Sequence, residues 1–488
     1  MTDDIDKDGT RLPIKVDTTS NGEYAPMPLS PVNVKANALA HENATANAKK
    51  HGWDRRKFLI SSCGTASTLL AFNAANAAVG KRGGFYQISD DAAVDMQLAQ
   101  AEVDGKEFIF DVQGHYVNPN GAWLNLVPES ASPFSGMEKA SCELADMPGD
   151  RAYLNCLGAD EFIKDVFLDS DTDIMVLSFV PSTQEREPVT IEDANETRNI
   201  VAQLDGSKRL MIHGRVNPNQ DGDLETMDEL AERWDICAFK TYTQFGPGGI
   251  GYWLHDDPGL AMIERARSLG VRNICIHKGL PFGPVSLEHS RCDDVGVVAK
   301  MFPDMNFLIY HSGYDNSITE QAFAPGENRM GIDTLIQSLI DNDVATNSNV
   351  YAELGSTWRL LMRDPDNAAH SLGKLFKYVG QDNVLWGTDS IWYGSPQDQI
   401  QAFRTFQISQ EFQERYDYPE ITAELRRKVF GLNAAVPYRI STTEIQSFLA
   451  ADSVSQRKLA YMNDPQPHFK TYGPKTRREF LNFLKLGG

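Results

Sequence analysis

The residues best suited to chemistry in this sequence follow short apolar runs. In residues 108–119, FIFDVQGHYVNP, the apolar start leads into Asp111, Gln113 and His115. Side chains two residues apart lie on one face of an extended strand, so these three polar groups are expected to point the same way. Carboxylate, amide and imidazole groups can bind a cation or transfer a proton. Taken alone, the run is equally compatible with a buried structural histidine beside a turn.

Three later apolar runs end in the same kinds of groups. His277 follows NICI, His311 follows NFLIY, and Asp389 follows NVLWGT. A single histidine at a strand end is usually structural, but repetition at four strand ends favours a shared centre. Three imidazoles and a carboxylate are a ligand set typical of zinc.

Eight short runs of this kind predict strands, and helical patterns lie between them. Their near-continuous hydrophobicity is typical of parallel strands covered on both faces. The alternation predicts an α/β fold, a (β/α)8 TIM barrel, whose active site lies at the carboxyl ends of the strands. An open doubly wound sheet is the alternative, and it is weakened because no glycine-rich phosphate loop follows the first strand. The predicted strands are 107–112, 173–180, 209–216, 236–242, 273–277, 306–311, 349–354 and 383–388, and the predicted helices are 191–204, 224–234, 260–269, 295–302, 332–340, 372–379 and 421–434.

Five motifs together resemble one enzyme family. They are DVQGH at 111–115, IHKG at 276–279, IYHSG at 309–313, WGTDSIW at 386–392 and ELRRKVFGLNAA at 424–435. Their combination resembles the amidohydrolase superfamily, specifically the amidohydrolase-related branch that includes the aminocarboxymuconate-semialdehyde decarboxylase-like enzymes. The resemblance covers residues 108–440.

The resemblance implies a single divalent metal ion and a set of residue roles. It implies His115, His277 and Asp389 as metal ligands, with zinc expected and manganese as the alternative. It also implies that His311 and Asp389 transfer protons and activate water. The first histidine of the family's HxH motif is Gln113 here. An amide oxygen is a poorer, neutral ligand than imidazole, so affinity should fall or shift toward harder ions.

Three functions are open at this point. The leading hypothesis is a metal-dependent hydrolase in which activated water attacks a small carbonyl-containing substrate. A non-oxidative decarboxylase with the same site is the enzymatic alternative. A catalytically silent binding barrel is the third, because Gln113 has replaced a ligand histidine.

Other polar residues at strand ends are candidates for substrate binding. Arg215 and His213 share a face of the third strand, and Arg215 has the geometry to clamp a carboxylate, although a buried ion pair is equally compatible. Glu353 and Trp392 follow the seventh and eighth strands, where packing roles are equally compatible. Lys240 ends the fourth strand, where some superfamily members use a carboxylated lysine, but the motifs resemble the mononuclear branch.

The N-terminal and C-terminal regions predict further segments. Residues 1–53 are polar and predict disorder. Residues 54–77 contain Arg55 and Arg56 before a modest apolar stretch, which resembles a twin-arginine export signal and predicts a periplasmic or secreted protein. Residues 78–107 predict a linker with a short helix, 118–160 a loop insertion and 441–488 a C-terminal helical extension. Cys142 and Cys156 share that insertion and are candidates for a disulfide in an oxidising compartment.

The amino-acid composition limits the classes of partner that the protein is expected to bind. Lys and Arg total 46 against 67 Asp and Glu, a net charge of −21, which argues against a nucleic-acid partner. No apolar run is long enough to span a membrane. The expected partners are a small-molecule substrate and the twin-arginine export machinery. The sequence is also compatible with a homo-oligomer.

Overall fold

The protein contains an eight-stranded parallel barrel flanked by the two ends of the chain. The computed structural model describes residues 11–127, 134, 151–205, 209–281, 286–326, 329–449, 452–467 and 469–484. The strands are β1 Gly84–Tyr86, β2 Phe110–Gly114, β3 Ile174–Leu177, β4 Leu210–Arg215, β5 Ala238–Tyr242, β6 Asn273–His277, β7 Asn306–Tyr310, β8 Val350–Glu353, β9 Val384–Leu385 and β10 Phe406–Ile408.

Strands β2 to β9 pair in chain order, and every pair is parallel. The sheet closes on itself through a parallel bridge between Gly114 and Ser390. A hydrogen bond from Val112 N to Trp386 O, 3.1 Å long, supports the same closure. The predicted TIM barrel is therefore confirmed.

Helices follow most barrel strands and cover the outside of the sheet. Because both faces of the strands are covered, adjacent residues along a strand, such as Phe110 and Asp111 or Ile276 and His277, are fully buried. The helices are α1 Pro31–His51, α2 Arg55–Leu59, α3 Ser62–Ala77, α4 Met96–Val103, α5 Ala159–Ile163, α6 Ile191–Asp205, α7 Asp223–Arg233, α8 Asp257–Ser268, α9 Val295–Met301, α10 Ile332–Asp341, α11 Thr357–Leu361, α12 Pro365–Lys374, α13 Gln397–Thr405, α14 Gln410–Tyr416, α15 Ala423–Arg427, α16 Asn433–Ala435, α17 Thr442–Leu449, α18 Ser453–Tyr461 and α19 Arg477–Phe483.

The predicted disorder of residues 1–53 is wrong for the part that the structure describes. Residues 31–51 form α1, whose buried face is a stripe of alanines at four-residue spacing, Ala36, Ala40, Ala44 and Ala48. Such a stripe packs closely against α3 but adds little to a hydrophobic pattern among Asn and Lys residues. Upstream, Leu12, Ile14, Val16 and Tyr24 are also buried.

The segment that resembles an export signal is packed within this fold. It covers α2 and α3, and Asp54 caps α2 by accepting from Lys57 N at 2.8 Å. Cys63, Leu69 and Phe72 on α3 are buried. Export through the twin-arginine route stays a prediction.

Residues 78–107 are more ordered than a linker. Strand β1 pairs antiparallel with β10, and α4 lies within the predicted helix. Most of the predicted 118–160 insertion lies outside the described residues, apart from 3-10 helices at Ala122–Leu126 and Ala152–Leu157. Cys156 is disulfide-bonded, while Cys142 lies outside the described residues.

The C-terminal extension is helical, as predicted, and contains α17, α18 and α19. Its Asp452 accepts a 2.8 Å hydrogen bond from Arg209 Nε at the edge of the barrel. Further on, Tyr472 N and Gly473 N donate to Trp392 O at 2.7 and 2.8 Å. Within the described ranges, none of the helices has the length and apolar character needed to cross a bilayer.

Candidate active site

The carboxyl ends of four barrel strands bring together His115, His277, His311 and Asp389. All four side chains are buried, with His277 and His311 fully so. His115 Nε2 lies 3.1 Å from Asp389 Oδ1, and the rings of His277 and His311 are 4.6 Å apart. The four side chains therefore form two close pairs at the mouth of the barrel, His115 with Asp389 and His277 with His311.

A turn from the N-terminal region enters this group, and sequence reasoning missed it. Glu23 Oε1 lies 3.2 Å from His277 Nδ1, and Glu23 Oε2 lies 3.3 Å from His311 Nε2. Asn21 Nδ2 donates to Asp389 Oδ2 at 2.6 Å and also to Glu23. Residues 21 and 23 thus join the two halves of the centre. The only local signal was the turn-forming Asn-Gly pair, which does not indicate where a turn docks.

The turn is held in shape by its own hydrogen bonds. Glu23 N donates to Asn21 Oδ1 at 2.8 Å, an Asx-type turn, and Gly22 N donates to Ser20 Oγ at 2.9 Å. Gly22 has a φ of 92°, a left-handed conformation that glycine adopts without steric cost. Tyr24 then places its hydroxyl 3.0 Å from that of Tyr393.

The turn is also anchored to distant parts of the chain. Arg359 donates to Asp17 at 2.9 Å, and Thr19 shares a 2.6 Å hydrogen bond with Thr471. Ser20 N donates to Pro474 O at 2.9 Å. The barrel and the C-terminal extension therefore both hold the turn in the centre.

Backbone carbonyls fix the orientation of two imidazoles. His277 Nε2 lies 3.1 Å from Gly279 O, and His311 Nδ1 lies 2.6 Å from Gly355 O. Because a carbonyl oxygen only accepts, each of these ring nitrogens carries the hydrogen. The other ring nitrogens, Nδ1 of His277 and Nε2 of His311, face the two carboxylate oxygens of Glu23.

Two of the site residues adopt left-handed backbone conformations. His311 has a φ of 66° and Asp389 a φ of 61°. Such conformations are uncommon for residues other than glycine, and they cluster at functional sites. Glu353, predicted to line the pocket, supports this geometry by accepting a 3.0 Å hydrogen bond from His311 N. It therefore positions His311 from behind.

Burial and neighbouring groups set the charges of the centre. Burial alone would raise the pKa of Glu23, but His277 and His311 outweigh it and hold that pKa below its ordinary value. Burial lowers the pKa of His311 to about 4. Burial alone would raise the pKa of Asp389, but the hydrogen bond from His115 helps to hold it below its ordinary value. Ionised carboxylates beside a neutral imidazole suit a cation.

Gln113 faces Asp389 through its amide nitrogen. Its Nε2 donates to Asp389 Oδ1 at 2.9 Å and lies 3.4 Å from His115 Nε2. The amide thus presents donors where the family motif would place a ligand atom. Among the described residues, the one group of three metal-type side chains with ligand atoms within 4.8 Å of one another is Glu23, His277 and His311.

Asp111 does not share the environment of Gln113 and His115, contrary to the one-face expectation. The register of β2 against β3 shifts between Asp111 and Gly114, which interrupts the simple alternation of a strand. The Asp111 carboxylate instead accepts from Thr388 N and Gln113 N, both at 3.1 Å. It links β2 to the end of β9.

The predicted substrate residues of the third barrel strand are engaged elsewhere. Arg215 is paired with Glu187 and, at 2.7 Å, with Asp223, so the structure contains the buried ion pair that the sequence left as an alternative. His213 lies 3.1 Å from Ser178 Oγ and 3.4 Å from the Tyr310 hydroxyl in the barrel interior. Their role in substrate binding stays a prediction.

Trp392 and Lys240 lie close to the centre. The indole of Trp392 stacks on His115, with ring centroids 6.0 Å apart. Lys240 is fully buried, and its Nζ lies 3.7 Å from the centre of the Tyr310 ring. Burial lowers the pKa of Lys240 to about 8.

Comparison with known proteins relates most of the barrel to one family. A family model described as Amidohydrolase matches residues 110–440. No protein of curated function matches the chain.

Solved structures with a similar fold include enzymes of different activities. One is 5-carboxyvanillate decarboxylase from Sphingomonas paucimobilis, 13% identical, with 68% of this chain and 99% of that chain covered and a TM-score of 0.41. A second is 2,6-dihydroxybenzoate decarboxylase from Rhizobium, 13% identical, with 68% and 99% covered and a TM-score of 0.37. A third is an amidohydrolase from Burkholderia multivorans with bound zinc, 12% identical, with 68% and 100% covered and a TM-score of 0.40. These likenesses concern the fold alone.

Proposed function

We propose that this chain, which belongs to the amidohydrolase family, is a metal-dependent hydrolase of small carbonyl-containing molecules. The observation that carries the proposal is the convergence of three imidazoles and two carboxylates in one buried group at the carboxyl ends of the barrel strands. Active sites of TIM barrels lie at this end of the sheet. Imidazole and carboxylate groups together are typical ligands of zinc and manganese.

The donor atoms present fit a divalent cation. Two imidazole nitrogens and a carboxylate face one another, and His115 and Asp389 lie beside them. We propose that ligands come from this group, with His115, His277 and Asp389 implied by the family resemblance. A bound divalent cation would lower the pKa of a water molecule toward about 7 and polarise a carbonyl oxygen.

Asp389 is the residue best placed to accept a proton. Its carboxylate is oriented by hydrogen bonds from Asn21, Gln113 and Ser356. These donors hold both oxygens in fixed positions, which a general base requires. His311 offers a lone pair at Nε2 that can serve either a proton or a cation.

Decarboxylation is the second candidate function, and Lys240 is the observation that favours it. Removal of carbon dioxide leaves a carbanion-like carbon that must gain a proton. Lys240 is a buried amine whose lowered pKa, about 8, suits proton donation near neutral pH. Release of carbon dioxide from aromatic acids would favour this alternative.

We also propose export of the chain through the twin-arginine route, supported by Arg55, Arg56 and the apolar stretch that follows. Cleavage after residue 77 would separate Asn21 and Glu23 from the barrel. Recovery of the protein from the periplasm tests export. The intact mass of that protein tests cleavage, because a chain that keeps residues 1–77 still carries the turn.

Metal analysis tests the proposed function. We expect the purified protein to hold a stoichiometric divalent metal, and chelation should abolish turnover of a lactone, ester or amide that zinc or manganese then restores. His277→Asn should lower metal content, while His370→Asn is the matched control, since that buried histidine contacts Tyr418 instead. Protein without metal, and unaffected by chelation, would support the catalytically silent barrel instead.

A further inference from the structure

We propose that Glu23 completes a divalent-cation site with His277 and His311. Glu23 lies outside residues 110–440, which the family model matches. The inference rests on the metal-dependent function proposed above and adds to it a ligand from the N-terminal turn. It also assigns the lone pair of His311 to the cation.

Two distances between these side chains match the edge length of a tetrahedral site. In such a zinc site the bonds to nitrogen and oxygen are about 2.0–2.1 Å, which sets neighbouring ligand atoms about 3.3–3.4 Å apart. Glu23 Oε1 lies 3.2 Å from His277 Nδ1, and Glu23 Oε2 lies 3.3 Å from His311 Nε2. One ligand atom from each of the three side chains lies within 4.8 Å of the other two, which is close enough for one cation to bind all three.

The hydrogen-bonding pattern also turns one nitrogen of each ring toward Glu23. The carbonyls of Gly279 and Gly355 accept from the N–H groups of the two rings. The second nitrogen of each ring therefore faces a carboxylate oxygen of Glu23. Two imidazole nitrogens and a carboxylate are a ligand set that binds zinc.

Glu23 supplies the kind of ligand that Gln113 does not. The amide of Gln113 directs its nitrogen at Asp389, and an amide nitrogen that donates hydrogen bonds is not a metal ligand. Asn21 orients the replacement by donating to both Glu23 and Asp389. Outer contacts of this kind fix the direction of ligand atoms.

The test compares the zinc affinity of two variants of the full-length chain. Glu23→Gln removes the charge of the proposed ligand, and Glu42→Gln makes the same change at an exposed position of α1. Competition with a chromogenic chelator should show at least about 10-fold weaker zinc binding for Glu23→Gln. Affinity should be unchanged for Glu42→Gln. Cobalt in place of zinc should give weaker visible absorption bands in Glu23→Gln.

A second variant keeps the proposal falsifiable if Glu23→Gln fails to fold. His311→Asn should weaken zinc binding under this proposal, whereas a purely proton-transferring His311 would leave zinc affinity intact. Circular dichroism identifies folded variants. Unchanged affinity and unchanged cobalt bands in a folded Glu23→Gln protein would overturn the proposal and make Glu23 an occupant of the substrate's place, while leaving the metal-dependent function standing. Failure of the unaltered protein to bind zinc or cobalt would overturn both.

Discussion

The barrel and the two ends of the chain contribute to the centre in different ways. The barrel presents His115, His277, His311 and Asp389 at the ends of its strands, where position in the fold alone marks them. The chain ends present Asn21 and Glu23 on a turn that the residues around 471–474 help to hold. Residues outside the span of a family model can thus enter the centre of the barrel that the model describes.

The largest effect is expected where the two regions meet, at Asp389. Asp389→Asn should lower kcat by about 10²–10⁴-fold, the scale of a general base, because the amide cannot take up the proton. Asn21→Ala removes a single hydrogen bond to that carboxylate and should cost far less. Steady-state kinetics of the two variants on the same substrate measure the ratio. Equal losses of kcat would show that the N-terminal turn contributes as much to catalysis as the barrel does.

A pair of core substitutions asks whether the N-terminal segment is part of the cooperative fold. Ile14 and Ile309 are both fully buried, one in the segment before α1 and the other in β7. Each change to Ala should destabilise the protein by about 2–5 kcal/mol, because it leaves a cavity. Urea unfolding followed by tryptophan fluorescence measures both. An Ile14→Ala protein with the midpoint of the unaltered chain would show a segment that detaches independently.

The pH dependence of stability probes the opposite end of the barrel, where α18 attaches. Asp173 accepts a hydrogen bond from Ile109 N, and burial raises its pKa to about 6 from an ordinary 3.8. The folded state therefore keeps a proton that the unfolded chain loses as the pH rises from about 4 to 6. The contribution of this carboxyl to the free energy of unfolding falls across that window, by on the order of 2 kcal/mol.

In Asp173→Asn this contribution to the free energy of unfolding should no longer fall with pH, because the amide does not ionise. Chemical denaturation at pH 4.5 and 6.5 measures how the free energy of unfolding of each protein changes between the two pH values. Asp91→Asn makes the same change at an exposed position and is the matched control. The same change in the free energy of unfolding for the unaltered chain and for Asp173→Asn would contradict the raised pKa of Asp173.

A smaller effect is expected at Gln113, where the barrel departs from its family's motif. Gln113→His adds an imidazole beside His115 and Asp389 and should tighten zinc binding by on the order of 10-fold. Chelator competition measures it. The double variant Gln113→His, Glu23→Gln should recover the zinc affinity of the unaltered chain. That result would show that either the barrel or the N-terminal turn can supply the ligand. No change in the single variant would mean that residue 113 does not face the cation.

The sequence predicted the barrel well because its signals are local. Buried parallel strands are short and continuously apolar, so β6 was predicted with its observed bounds, Asn273–His277. Other boundaries moved because strands end where pairing ends: β3 stops at Leu177, before the predicted end at 180. The catalytic candidates at strand ends followed from the barrel geometry.

The chain ends escaped prediction because their signals are tertiary. The alanine stripe of α1 gains meaning only against α3, and nothing near Glu23 in sequence connects it to residues 277 and 311. The register shift in β2 likewise separated Asp111 from Gln113, which strict alternation had placed together. In each case the deciding contact joins residues far apart in the chain.

The contacts between residues 17–20 and 471–474 have a consequence for biosynthesis. The turn and these partners are far apart in the chain, and the hydrogen-bonded Thr19 and Thr471 are separated by 452 positions. Contacts this distant in sequence form late, because the chain must close a very large loop before they can be made. All eight barrel strands lie between the two segments and are synthesised before these contacts can form.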